Sequence, residues 1–111
     1  MSVTAAQGFR AAGVRAGLKA SGKPDLALVV NDGPLDTAAG VFTTNRVVAA
    51  PVVWSRRLLA GQEGGRPGHA RAVVLNSGSA NACTGAQGLR DTEATAARAA
   101  GLVGIEPDQV L

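Results

Sequence analysis

The sequence is poor in aromatic residues, in cysteine and histidine, and in long apolar runs. It has two Phe, one Trp and no Tyr among 111 residues, with one Cys and one His. A single cysteine excludes an internal disulfide and fits a reducing cytosol, and one Cys with one His does not make a typical structural zinc site. No apolar stretch reaches the roughly 18 residues of a transmembrane helix, and residues 1–6 do not resemble a signal peptide. We therefore expect a cytoplasmic protein without a membrane partner.

Charged residues are also few, at 17% of the chain, with a net charge of +3. The basic residues are dispersed, since Arg56 and Arg57 form the only adjacent pair, and no aromatic residues alternate with them. A nucleic-acid partner is therefore not expected, because such surfaces combine clustered cations with stacking platforms.

One charge asymmetry stands out near the N-terminus, where a run of basic residues precedes the first acidic residue, Asp25. Such a run steers an anionic small molecule or is simply a solvated edge. Its members are Arg10, Arg15, Lys19 and Lys23.

Small residues are abundant, with 22 Ala and 15 Gly. The apolar fraction of 46% excludes compositional disorder. Bulky apolar side chains are nevertheless scarce, and burial stabilises by only about 25 cal/mol per Å². The chain is therefore either a marginal domain or one piece of a larger core.

Apolar patterning predicts strands alternating with helices. A turn at residues 31–34 is predicted to join the second and third strands as a hairpin. The continuous apolar run of the second strand is typical of burial on both faces. The fold class is therefore α/β, a layered α+β sandwich with a mixed sheet and helices. The predicted strands cover residues 8–14, 25–30, 38–44 and 70–76, and the predicted helices cover about 50–60 and 86–102.

The second helix has two further sequence features. Thr84 and Gln87 have the spacing of a capping box at its start. Its alanine-rich face, which includes Ala96, Ala97 and Ala100, is small enough to lie close against a sheet.

The end of the chain reads as the start of another strand at residues 110–111. We expect residues 1–111 to be the incomplete N-terminal portion of one α/β domain, without an internal boundary. Further chain or a partner chain would complete it.

Residues 76–85, between the last full strand and the second helix, carry the strongest chemical signal. Small side chains let backbone N–H groups approach a ligand, and a helix N-terminus favours anions. The segment lacks both the dinucleotide and the P-loop fingerprints. It is either an anion-binding turn or a tight connection that its Asn side chains hold together.

Nucleophilic catalysis by Ser77, Ser79 or Cys83 is not favoured. The only potential base, His69, lies in a Gly-rich loop, and the Gly-x-Ser-x-Gly motif is absent. Residues 40–46 place two hydroxyls, an amide and a guanidinium at a predicted strand end. That set suits a carboxylate ligand, or it is ordinary polar strand termination.

Several segments, in order along the chain, resemble the N-terminal part of the ornithine acetyltransferases, also called glutamate N-acetyltransferases. The most specific is the Asn-Ser-Gly-x-Ala-Asn-Ala-Cys-Thr-Gly stretch, in which Ser79 stands where the family most often has Gly. The resembling segments are residues 7–14, 17–19, 25–29, 39–45, 49–52 and 75–85.

The resemblance implies an arginine-biosynthesis enzyme that moves an acetyl group from N-acetylornithine to glutamate through an acetyl-threonine intermediate. It implies self-cleavage of a precursor into α and β chains, assembled as an α2β2 heterotetramer. No metal or bound cofactor is implied, although bifunctional members also accept acetyl-CoA. The nucleophilic Thr and the Thr-Gly oxyanion pair are expected C-terminal to Leu111, so this chain alone is expected to be inactive.

No catalytic residue is therefore assigned within the chain. Five polar residues are candidates for binding substrate or supporting residues that do. They are Thr43, Asn45, Asn76, Asn81 and Thr84. The alternative function is a non-enzymatic module that binds a small anion at residues 76–85.

Overall fold

Among residues 2–111, which a computed structural model describes, the chain forms a three-stranded sheet and two α-helices. Three predicted strands and both predicted helices are confirmed to within two residues at each end. The elements are β1 (Phe9–Val14), β2 (Leu26–Asn31), α1 (Ala50–Leu59), β3 (Ala72–Asn76) and α2 (Gly85–Val103), with short 3-10 turns at Val3–Ala5 and Pro107–Gln109.

The sheet has β2 at its centre and is antiparallel on both sides, in the order β1-β2-β3. Beyond β3, Val110 forms a parallel bridge with Ala72. The Leu111 N–H donates to the Ala72 carbonyl at 2.9 Å, and the Val74 N–H donates to the Leu111 carbonyl at 2.9 Å. The predicted α/β class is confirmed, but the expected mixed sheet is not, because the three-stranded sheet is antiparallel throughout. The parallel contact at Val110 is an isolated bridge outside the three strands.

The predicted strand over residues 38–44 is wrong, and so is the hairpin it implied. These residues form no strand in the described structure. The physical reason is that β1 and β3 already occupy both edges of β2, which leaves no partner there. The start of the segment instead contacts residues 68 and 69. Thr37 forms a bridge with His69, and the Ala38 N–H donates a hydrogen bond to the Gly68 carbonyl at 2.8 Å.

The core lies between the helices and one face of the sheet. Leu58 is completely buried and Val110 is 1% exposed. The small side chains of the sheet and of α2 let the helices approach closely, as the abundance of alanine suggested. The buried cluster comprises Val30, Trp54, Leu58, Ala72, Ala96, Ala100 and Val110.

The other face of the sheet is also apolar but is open. Side chains alternate along a strand, so Ala27, Val29, Val73 and Leu75 lie opposite the core face. None of the four is buried, and Leu75 is 49% exposed. The expectation that β2 is buried on both faces is therefore wrong for the described residues, since only Val30 of β2 is buried.

Helix α2 presents its alanine face as expected, with one exception. Ala96 and Ala100 are buried, whereas Ala97 is exposed. Gly104, with φ of 83°, ends the helix in the left-handed conformation that glycine adopts without strain. Within residues 2–111, neither helix is long and apolar enough to cross a membrane.

Candidate functional site

A cleft of about 600 Å³ opens between the sheet, both helices and the turn that precedes α2. Its apolar walls include Leu18 from the β1–β2 loop, Trp54 from α1, and Leu111, which follows the Pro107–Gln109 turn. An apolar cleft with few polar groups is the usual form of a small-molecule site. Its polar lining residues are Asn76, Ser79, Asn81, Thr84, Asp91, Thr92 and Thr95.

Asn81 is the structural centre of the turn at residues 76–84. Its Nδ2 donates to the Gly88 carbonyl at 2.9 Å, and its Oδ1 accepts a hydrogen bond from the Thr84 hydroxyl. Its main-chain carbonyl accepts from the Ala50 N–H at 3.0 Å, at the start of α1. Asn81 therefore ties the beginnings of both helices together, and its side chain is engaged by protein groups.

The capping box predicted from Thr84 and Gln87 is wrong. Thr84 is the N-cap residue of α2, but its side chain makes no capping hydrogen bond. The hydroxyl donates to Asn81 instead, because Asn81 sits directly over the first turn. The Gln87 side chain also turns away and donates to Asp91 at 2.7 Å.

Asn76 and Ser79 differ from Asn81 because they leave polar groups for a ligand. The Asn76 Nδ2 donates to the Gly78 carbonyl at 2.7 Å, and among the described residues its Oδ1 accepts no hydrogen bond. Ser79 has a φ of 49°, in the left-handed region that glycine favours. That conformation explains why glycine suits this position in the resembling family.

Thr43 and Asn45 do not join the other candidate residues. Thr43 Oγ1 accepts from the Asn45 N–H at 3.1 Å, and Asn45 Oδ1 accepts from the Val47 N–H at 3.1 Å. Both side chains therefore shape a local turn, and neither lines the cleft. The structure thus brings together Asn76, Asn81 and Thr84 and leaves this pair outside.

His69 belongs to a separate cluster. Its Nδ1 lies 2.7 Å from the Asp36 carboxylate, and its Nε2 accepts from Arg66 at 3.0 Å. The bond to His69 is the main reason why the pKa of Asp36 is lowered. The exposed Cys83 has no hydrogen bond to His69 among the described residues. Among residues 2–111, no group of three or more His, Cys, Asp or Glu could hold a metal ion.

Sequence reasoning missed the role of Asp25. This carboxylate is 4% exposed and accepts hydrogen bonds from the N–H groups of Ala16 at 2.6 Å and Lys19 at 2.8 Å. Its main-chain carbonyl accepts from the Ser77 N–H at 2.8 Å. Asp25 thereby holds the loop that carries Ala16 and Leu18 into the cleft wall. The only sequence signal was an acid at the start of a continuous apolar run.

The backbone N–H groups of Ala16 and Lys19 lower the pKa of Asp25 below its ordinary value. The Asp25 carboxylate therefore stabilises the fold above the unfolded-state pKa of about 3.9, and this contribution is lost as the pH falls through the lower folded-state pKa. We expect Asp25→Asn to lower Tm at pH 7 by roughly 5 °C, because the amide NH₂ then faces one of the two backbone N–H donors, which each bond to a different carboxylate oxygen. The Tm gap from the wild type should narrow below about pH 4. Calorimetry as a function of pH measures the Tm of both proteins. A Tm difference that widens in acid would contradict a stabilising role for the ionised Asp25 carboxylate.

Comparisons with known proteins show which family the sequence resembles. The sequence profile of the ArgJ family matches residues 10–111. The arginine biosynthesis bifunctional protein ArgJ of Bifidobacterium longum is 61% identical over 111 residues, and that of Streptomyces coelicolor is 60% identical over 110 residues. The chain spans only 27% of the length of these curated relatives.

Solved structures show the same fold. A crystal structure of ornithine acetyltransferase from Mycobacterium tuberculosis, in complex with ornithine, matches with a TM-score of 0.87 and 56% identity. The match covers 97% of this chain and 55% of that one. A crystal structure of the ArgJ protein from Bacillus halodurans matches with a TM-score of 0.86 and 38% identity. These matches do not favour the small-anion module.

Proposed function

The chain belongs to the ArgJ family, and from that premise we propose that it forms the N-terminal part of an acetyltransferase. The enzyme moves an acetyl group from N-acetylornithine to glutamate in arginine biosynthesis. The observation that carries the proposal is the cleft of about 600 Å³, which the family-like turn at residues 76–84 helps to build. The matching Mycobacterium tuberculosis enzyme binds ornithine, a small amino acid of the class that such a cleft accommodates.

The proposed reaction has two steps. The hydroxyl of a threonine beyond Leu111 attacks the acetyl carbonyl, its proton passes to a base, and the C–N bond to ornithine breaks as the leaving amine takes up a proton. Glutamate's amine then attacks the acetyl-threonine, which restores the hydroxyl. In the bifunctional form acetyl-CoA also supplies the acetyl group. Residues 2–111 contribute walls and substrate contacts, with Asn76 Oδ1 and the Ser79 hydroxyl free to bind polar substrate atoms.

The chain would act as one portion of a larger α/β domain. Its open sheet face is typical of surfaces that pack against further protein. From the family resemblance we propose that its partner is a β chain, released from the same precursor by self-cleavage, in a cytoplasmic α2β2 assembly.

Two measurements on the complete protein test the function. Ornithine release from N-acetylornithine should depend on glutamate, and intact mass should reveal a second chain that begins with Thr. Residues 1–111 alone should give no turnover. A complete protein that fails to transfer acetyl, or turnover by residues 1–111 alone, would refute the proposal.

A matched pair of variants tests the cleft itself. Asn76→Ala removes a cleft amide and should lower kcat/KM for transfer about tenfold, the scale of one hydrogen bond to substrate. Asn45→Ala, at the local turn outside the cleft, should change kcat/KM less than about twofold. Equal effects from the two variants would show that the cleft does not bind substrate.

A further inference from the structure

The basic run near the N-terminus divides into two parts in the structure. Arg10, on β1, is paired with Asp32 through a two-point salt bridge, and this pairing lowers the pKa of Asp32. Arg15, Lys19 and Lys23 lie in the loop between β1 and β2. Among residues 2–111, none of these three cations forms a salt bridge with a carboxylate.

The nearby carboxylate of Asp25 bonds to the backbone of this loop. It forms no salt bridge with the loop's cationic side chains in the described residues. Its oxygens accept hydrogen bonds from the backbone N–H groups of Ala16 and Lys19, and it is 4% exposed. Residues 15–25 therefore present three side-chain cations and one buried anion.

The loop also lies at the cleft. Ala16 and Leu18 line the cavity wall. The Lys19 side chain passes beside Gly78, with its Cγ 3.4 Å from the place a Cβ on that glycine would occupy. The Arg15 guanidinium packs over the loop at Gly22, where its Cζ is 3.3 Å from the equivalent position. Asp91, on α2, is the only carboxylate that lines the cleft in the described residues, and it accepts from Gln87.

We propose that the loop at residues 15–23 is a phosphate subsite on the rim of this cleft. It binds the phosphate groups of a phosphate-bearing acyl donor, while the donor's uncharged arm enters the apolar cavity. Phosphates keep their charge at neutral pH, and cations beside an apolar cleft raise both the capture rate and the affinity of such a ligand. This inference rests on the proposed acetyl-transfer function. It makes the loop the part of the protein that favours a phosphate-bearing acyl donor over one without phosphate.

The test compares two acyl donors in the complete enzyme. Acetyl-CoA carries phosphates and N-acetylornithine carries none. In the triple variant Arg15→Gln, Lys19→Gln, Lys23→Gln, the ratio of KM for acetyl-CoA to KM for N-acetylornithine should rise about tenfold, the scale of several charge–phosphate contacts. High salt should produce a similar change in the wild type, because Arg15 and Lys23 are exposed and Lys19 is half-buried, so that dissolved ions screen their charges.

A second variant controls for net charge. Arg46→Gln, Arg90→Gln, Arg98→Gln removes the same charge from residues that lie outside both the β1–β2 loop and the cleft lining, and it should leave the ratio unchanged. Binding of inorganic pyrophosphate, measured by calorimetry at low salt, gives a readout independent of turnover and should be lost only in the loop variant. Pyrophosphate binding that is absent in the wild type, or equal in both variants, overturns the subsite. Loss of transfer from N-acetylornithine in the wild type would instead refute the proposed function.

Discussion

Replacing Gly88 with alanine is expected to lower the free energy of unfolding by about 2–3 kcal/mol, although alanine is the better helix former. A Cβ at this position would overlap the Thr84 hydroxyl and the Asn81 side-chain oxygen, and it would lie 2.7 Å from the Thr84 Cβ. The overlap would push Asn81 away from α2 and break the hydrogen bond that its Nδ2 donates to the Gly88 carbonyl. Chemical denaturation followed by circular dichroism measures the change.

Gly101 provides the matched control in the same helix. A Cβ there meets no heavy atom within 4 Å, so Gly101→Ala should raise the free energy of unfolding by up to about 1 kcal/mol, the ordinary helix-propensity gain. If both substitutions stabilise the protein, the packing of Asn81 and Thr84 over α2 is not as the structure shows.

The elements that sequence patterns predicted are those that local information determines. The apolar run before Asn31 and the proline at the start of α1 act within a few residues, so β2 and α1 lie almost where predicted. Residues 38–44 have an equally strand-like pattern but form none, because strand formation needs a free edge and both edges of β2 are taken. Whether a segment pairs as a strand depends on the whole sheet, so the sequence of that segment alone does not determine it.

The candidate site was predictable only in part, for a related reason. The turn at residues 76–85 was recognisable from its small polar residues, and three of the five candidate residues do line the cleft. Thr43 and Asn45 were predicted only from the polar character of their segment. In the structure their side-chain oxygens accept hydrogen bonds from backbone N–H groups two residues further along the chain. Asp25 was missed because its function depends on backbone N–H groups that only the folded loop brings together.

The buried contact between Trp54 and Val110 links residues 56 apart in the sequence and positions residues 110–111 against α1. The indole Nε1 donates to the Val110 carbonyl at 2.9 Å, and Trp54 is 7% exposed. The N–H of Leu111 and the carbonyls of Gln109 and Leu111 bond towards β3, so the Val110 carbonyl points away from it and depends on the indole. Since both residues also line the cleft, this bond fixes part of its floor.

Two substitutions separate the packing of Trp54 from its hydrogen bond. Trp54→Ala leaves a large cavity in the core and should cost about 3–5 kcal/mol of unfolding free energy. Trp54→Phe keeps most of the volume but leaves the Val110 carbonyl without its donor, and should cost about 1–3 kcal/mol. Circular dichroism must follow the unfolding, because Trp54 is the only tryptophan. Leu102→Ala, at a side chain that is 71% exposed, should cost less than about 1 kcal/mol. If Trp54→Phe costs no more than this control, the indole is not holding the Val110 carbonyl, and residues 110–111 owe their position to their hydrogen bonds with β3 alone.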